Sequence, residues 1–190
     1  EPETESTQSA TARIGSVSET VSNLNLRNIN NSYGCAYYPW VQIAANTGVD
    51  SGKLWAPPSV AAIGAFASSQ RQSELWFAPA GFSRGSLDSI ESLGVRLSRR
   101  NLDDLYDADI NPLTAFPGTG IVVFGQKTLL ANASALDRVN VRRLLINVRR
   151  SIRNIANSLL FEPNRQETLD RFNSLVNPVM QRIQEQGGVD

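Results

Sequence analysis

Between Ser134 and Asn164 the apolar residues fall at Val141, Leu144, Leu145, Val148, Ile152, Ile155, Ala156 and Leu159. Alternating threes and fours draw one stripe along one side of a helix. The pattern predicts a helix over 135–160, about 40 Å long at ~1.5 Å of rise per residue. Ser134-Ala135-Leu136-Asp137 reads as a capping box at its start, and Pro163 in Phe161-Glu162-Pro163-Asn164 stops it. Asn164-Arg165-Gln166-Glu167 reads as a second capping box. It opens another amphipathic helix with Leu169, Phe172, Val176, Val179, Met180 and Ile183 on one side. A kink is expected at Pro178 and a stop at Gly187-Gly188. Together the two predict a helical hairpin lying over one face of a sheet.

Upstream, residues 1–12 are polar and acidic and predict a linker. Residues 13–190 are expected to form a single α/β core domain. Ile14, Val17, Val21 and Leu24 predict a helix from Arg13 to Asn28. Ser32 to Ala45 is aromatic and β-branched, as in a strand buried on both faces, with Pro39 marking an edge or bulge. Asn46 to Lys53 reads as a loop. Pro57-Pro58 then suits the entrance of a small-residue helix over Val60 to Ser69. Leu75 to Gly81 predicts a buried strand running into a turn, and Leu87 to Leu97 a strand or loop-strand piece. A short helix is expected over Leu102 to Ala108, and a core strand over Ile121 to Gly125. The alternation points to an α/β fold, a mixed β-sheet packed by helices and ending in the helical hairpin.

Composition narrows the chemistry. Net charge is +0 and 41% of the 190 residues are hydrophobic, enough for a core but no sign of a polyanion binder. Lys53 and Lys127 are the only lysines among 18 basic residues, so nearly all the positive charge is arginine. Histidine is absent, which removes Ser-His-Asp and Cys-His nucleophile pairs and His metal sites. Cys35 is the single cysteine, so no internal disulfide or thiolate cage forms, and its apolar neighbours read as those of an inert core thiol. No apolar run approaches the ~20 residues needed to cross a bilayer. The chain opens on Glu-Pro-Glu without Met and shows no signal peptide, which reads as a piece of a longer polypeptide.

Gly81-Phe82-Ser83-Arg84-Gly85 matches a nucleophile elbow, which would make Ser83 a hydrolase nucleophile. The elbow needs a base in reach of the serine, and without histidine a plain turn is the better reading. Asp103-Asp104-Leu105-Tyr106-Asp107, with Asp109, matches a Mg²⁺-holding aspartate pattern. No second acidic cluster accompanies it, and acids near the ends of a short helix account for it. Gly118-Thr119-Gly120 precedes a strand, the reverse of a phosphate-binding loop, and reads as a turn. No catalytic residue, cofactor or metal is therefore expected.

Arg138, Arg142, Arg149 and Arg153 recur at fours and sevens, a second stripe beside the apolar one. A solvated helix face is the plainer account of it. The sharper one is a row of guanidinium groups fit to grip carboxylates of another chain, since arginine makes bidentate, directional contacts.

Several landmarks then occur in a telling order. They are Tyr37-Tyr38-Pro39-Trp40, Trp55-Ala56-Pro57-Pro58-Ser59, Leu75-Trp76-Phe77-Ala78-Pro79-Ala80-Gly81, Ile110-Asn111-Pro112, the run from Gly118 to Leu129, Val139-Asn140-Val141-Arg142-Arg143-Leu144 and Phe161-Glu162-Pro163-Asn164. In order and spacing, from residue 30 to 188, the chain resembles the contractile tail sheath proteins of bacteriophages and related injection machines. It departs from the usual pattern at Phe124-Gly125-Gln126-Lys127-Thr128-Leu129, where Trp-Gly-Ala-Arg-Thr-Leu is more typical.

The resemblance implies the inner, C-terminal-side α/β core of a larger subunit, which outer insertions precede and a strand-forming arm follows. It implies a structural protein and no enzyme. Its partners would be other copies of itself, an inner tail tube protein, and baseplate and tail terminator proteins, with neither nucleic acid nor membrane. Such a subunit polymerises in the host cytoplasm into the virion tail sheath, then contracts to drive the tube through a cell envelope. In that setting Arg138, Arg142, Arg149 and Arg153, or Arg171 and Arg182 on the last helix, are the candidate interface residues. A stand-alone protein-binding module is the other non-enzymatic reading.

Overall fold

The computed structural model describes residues 15–46 and 51–189. The expected linker, the first residues of the expected opening helix and the centre of the 46–53 loop lie outside these. The elements run α1 (Val17–Leu26), β1 (Ala36–Tyr38), β2 (Val41–Asn46), β3 (Ser51–Ala56), α2 (Pro58–Gln72), a helical turn α3 (Gly81–Arg84) and β4 (Ile90–Leu93). They continue with α4 (Arg99–Asp107), β5 (Ile110–Phe116), β6 (Gly120–Val123), a 3₁₀ turn (Ala135–Asp137), α5 (Val139–Asn157) and α6 (Gln166–Glu185).

Among the described residues the strands form two three-stranded sheets, ordered β1-β5-β6 and β3-β2-β4. In the first, β1 runs parallel to β5 while β6 returns antiparallel, so the sheet is mixed, as expected of the α/β class. The second is antiparallel. The predicted long strand from Ser32 to Ala45 is thus two strands in different sheets. The break falls at Pro39, which follows a cis peptide bond and leaves Trp40 outside either ladder.

β5 holds the centre. Its first five residues are buried, and Leu113 packs with Val41, Ala61, Ala65, Leu87 and Val123 between the sheets and α2. Ala61, Ala62 and Ala65 are buried on α2 because small side chains let a helix lie close to a strand. A second cluster joins Val17, Tyr38, Leu105 and Ile110, which seats α1 and α4 against β5 and beneath β1.

Pro112 sits inside β5 and has no N–H to give its neighbours. Asn111, beside it and 1% exposed, supplies the missing ties through its side chain. Its amide donates to Ala36 O (3.0 Å) and Lys127 O (2.8 Å), and its Oδ1 accepts from Lys127 N–H at 2.6 Å. Gly125 lets the backbone pass this close: a Cβ there would lie 2.8 Å from Asn111 Oδ1. The segment after β6 is then threaded between two others. Leu129 N–H donates to Gly34 O at 2.9 Å, Thr128 N–H to Asp137 O at 2.8 Å, and Val139 N–H to Gln126 O at 2.8 Å. This clasp fixes where α5 leaves the sheets.

Several expectations are corrected. Leu75 to Ala80 forms turns that lead into α3 at Gly81, and no strand, because Trp76 and Phe77 pack against the hairpin and not in a ladder. The expected loop before Trp55 ends in β3, which extends β2 as a hairpin. Ser134 caps the 3₁₀ turn, its Oγ accepting from Leu136 N–H, and α5 proper begins at Val139 behind an extended Arg138. The helix has 19 residues, which at ~1.5 Å each is about 28 Å and not 40. The second helix is preceded by Arg165 without a side-chain cap, so the Asn164 box does not form. The chain stays helical through Pro178 and ends as expected at Gly187, whose φ is +70°.

Candidate subunit interface

The hairpin of α5 and α6 is seated on the turns that carry Trp76, not on a sheet face. Trp76, Leu144 and Ile183 form a buried cluster, with Phe77, Val148 and Val179 packed around it. Trp76 Nε1–H donates to Gln186 O at 3.2 Å, and a Cβ on Gly188 would lie 2.5 Å from Ile183 Cγ2. The end of α6 therefore closes over the indole, and glycine is needed for that approach. The cluster uses only one side of α5.

The arginine row turns out to hold three kinds of residue. Arg138 precedes α5 and pairs with Asp137 at 3.1 Å. A hydrogen bond to the Tyr106 side chain, and then the Asp137 carboxylate, raise its pKa against the opposing effect of burial. Arg142 is held by the loop before β1: it donates to Ser32 Oγ and its guanidinium carbon lies 4.1 Å above the Tyr33 ring. Arg149 and Arg153 are exposed and free of ion pairs among the described residues. The hairpin places Arg171 and Arg182 on α6, exposed and outside the groove described below.

Two arginines that the spacing argument passed over complete the picture. Arg143 lies on the core side, its guanidinium carbon 5.0 Å over the Phe66 ring, and burial lowers its pKa. Arg150 is exposed next to Arg149. Its signal was the plain doublet Arg149-Arg150, which a search for one periodic row discards.

At about 100° per residue, Leu145, Ile152 and Ala156 fall within the same sector of α5 as Arg142, Arg149 and Arg153. Apolar and cationic positions interleave there, where the sequence reading set them side by side. The result is an open groove of about 880 Å³. Its floor is Leu145, Ile146, Val148 and Ile152, and Arg149, Arg150 and Arg153 line it with Tyr33 and Arg142. An apolar floor with guanidinium groups about it suits a carboxylate-bearing apolar segment of a protein.

The other candidates are placed as follows. Ser83 is exposed on α3, and no hydrogen bond reaches its Oγ among the described residues. Asp103, Asp104 and Asp107 are exposed on α4, while Asp109 pairs with Lys127 at 3.0 Å. Among the described residues no three His, Cys, Asp or Glu gather as a metal site would require, and no helix is long and apolar enough to cross a membrane. Cys35 is half-buried, and burial raises its pKa, leaving little thiolate.

Known proteins resemble this chain in sequence and in fold. The family model for the phage tail sheath protein central domain matches residues 1–129. The tail sheath protein of Vibrio phage KVP40 is 39% identical over 135 residues, which is 71% of this chain and 20% of that protein. The tail sheath protein of Enterobacteria phage T4 is 32% identical over the same length and shares. The chain thus spans about a fifth of the length of these curated relatives. Among solved structures, the PVC sheath complex of an extracellular contractile injection system, in its contracted state, superposes with a TM-score of 0.74 at 27% identity. That match covers 85% of this chain and 43% of the other, more than the family model reaches, so the likeness runs into the hairpin. The helical sheath of the anti-feeding prophage, also contracted, gives 0.71 at 26% identity over 83% of this chain and 42% of that one. On a family match covering most of its length and on relatives of this identity, the chain belongs to the phage tail sheath protein family.

Proposed function

We propose that this chain is the inner core of a subunit that polymerises with copies of itself around an inner tube, forming a sheath that contracts and drives the tube through a host envelope. The observation that carries the reading is the free arginine face of α5. Arg149, Arg150 and Arg153 lie exposed over an apolar floor, with no acid of the described residues paired to them. An exposed apolar patch marks a contact surface, and the arginines around it are matched by a partner bearing carboxylates. Head-to-tail repetition of one such contact generates an open helical assembly. Contraction is then a rigid-body rearrangement of blocks whose contacts have more than one stable arrangement, with the energy stored behind a kinetic barrier.

In this reading the groove serves copies of the chain or the tube, and baseplate and terminator proteins cap the polymer. The chain transforms no substrate and works in the virion tail. Arg138 and Arg142 shape the base of the face, Arg149 and Arg153 make the contact, and Arg171 and Arg182 offer a second one on α6.

The test is negative-stain microscopy of the complete polypeptide, scored for striated tubes, with and without Arg149→Glu and Arg153→Glu together. The expected result is tubes from the natural protein, few or none from the double variant, and unchanged unfolding of the monomer. Tubes of normal yield from the double variant would remove the arginine face from the assembly. A natural protein that never polymerises would overturn the sheath reading itself.

A further inference from the structure

The turn between α5 and α6 contains a residue that the isolated fold does not explain. Phe161 adopts φ +72° and is fully exposed, at 103% of its reference surface. Left-handed backbone at the end of a helix is ordinarily taken by Gly or Asn, because a bulky side chain there is strained. Phe161 accepts that strain and buries nothing in return. Leu160, its neighbour, is also exposed. Glu162 follows, and Glu167 lies on the first turn of α6; neither is ion-paired among the described residues. The tip is thus an apolar knob flanked by two carboxylates, Glu162 and Glu167, with the exposed Arg165 between them in sequence.

The groove on α5 is its complement in both respects, an apolar floor lined by arginines. A tip cannot enter the groove of its own chain. Arg149, near the groove centre, lies eight residues before the end of α5 at Asn157, about 12 Å along a rigid axis, and the turn leads away from it. Resting on the sheath reading, which supplies the second copy, we propose that Phe161 of one subunit seats in the arginine-lined groove on α5 of the next. Knob and groove occupy different places on one chain, so the contact is heterologous and propagates without closing. Its electrostatic part pairs Glu162 and Glu167 of one copy with Arg149 and Arg153 of the other.

The experiment places p-benzoylphenylalanine at position 161 of the complete polypeptide. Polymers assembled from mixed heavy- and light-isotope subunits are irradiated, and the joined peptides are mapped. Adducts within 142–156 of a second copy are expected. Adducts elsewhere, adducts to another protein such as the tube, or none from irradiated polymers overturn the proposal. Phe161→Gly supplies an independent readout. It should raise the unfolding temperature by a few degrees, since glycine relieves the left-handed strain, while the concentration needed to polymerise rises at least about tenfold. A Phe161→Gly subunit that polymerises as readily as the natural one also overturns it. Failure of the sheath reading looks different: the natural protein then forms no tubes. If tubes form and Arg149→Glu with Arg153→Glu blocks them, but adducts map elsewhere, the arginine face stands and the tip proposal alone falls.

Discussion

Strand β5 and helix α5 use their side chains in opposite ways. In β5 every residue from Ile110 to Thr114 is buried, and even the amide of Asn111 has all its hydrogen bonds inside the chain. In α5 only Val139 and Leu144 are buried, while Leu145 and Ile146 stand 42% and 48% exposed beside unpaired arginines. The strand is finished by its own chain; the helix is finished on one side only. On the function proposed above, the difference separates a block that must keep its shape from a surface that a partner covers. Substitutions should divide the same way, with stability lost in the block and assembly lost on the hairpin.

The largest effect belongs to Leu113→Ala. Leu113 is 0% exposed between the sheets and α2, so its truncation should cost about 4 kcal/mol in denaturant unfolding. Asn111→Ala comes next. It removes the partner of one N–H and two carbonyl groups in the clasp and should cost about 3 kcal/mol. If Asn111→Ala cost under about 1 kcal/mol, water would be reaching the clasp and the block would be looser than its burial implies.

These two residues also mark what the sequence could and could not reveal. β6 and α2 were legible, because the β-branched run Ile121-Val122-Val123 after glycines favours a strand and a proline-led stretch of alanines favours a helix. β5 was not. Pro112 argues against a central strand, and the compensation comes from Asn111 reaching Lys127, sixteen residues on. Leu75 to Gly81 misled for the converse reason: a short apolar run records burial and not the kind of element that provides it. On the hairpin, the arginine spacing was visible in the sequence. That Arg142 is held by Ser32 and Tyr33 was not, since those residues join it from 110 and 109 positions earlier through the fold. Phe161 was read only as part of a helix stop, because a backbone angle leaves no mark on composition.

A smaller effect tests whether the block stays dry at its β1 side. Burial, followed by the nearby Cys35, pushes the pKa of Tyr37 well above its ordinary 10.0, and burial raises that of Cys35 above 9.0. Both groups are neutral when protonated, so a raised folded-state value means the unfolded chain releases its protons first. Their contribution to stability is then full below pH 9 and declines as pH climbs past 9.0 for Cys35 and 10.0 for Tyr37. Tyr37→Phe removes the larger part. Its unfolding free energy should fall less steeply above pH 10 than that of the natural chain. Identical slopes would mean that the phenol meets solvent.

The smallest effect on stability is expected where sequence patterning alone would place a large one. Leu145 and Ile146 sit on an apolar-striped helix, and Leu145 belongs to the stripe that predicts burial. Each already leaves nearly half its surface in water, so Leu145→Gln and Ile146→Gln should each change the unfolding free energy by no more than about 0.5 kcal/mol. The groove floor would nevertheless become polar. An apolar segment docked there would lose its seat, so the pair should raise the concentration needed for polymerisation, as charge reversal at Arg149 and Arg153 should. Stability and assembly thus part company at these two leucine-sized positions. A loss of several kcal/mol on either substitution would show that another part of the polypeptide already covers the groove, and the contrast between finished strand and unfinished helix would disappear.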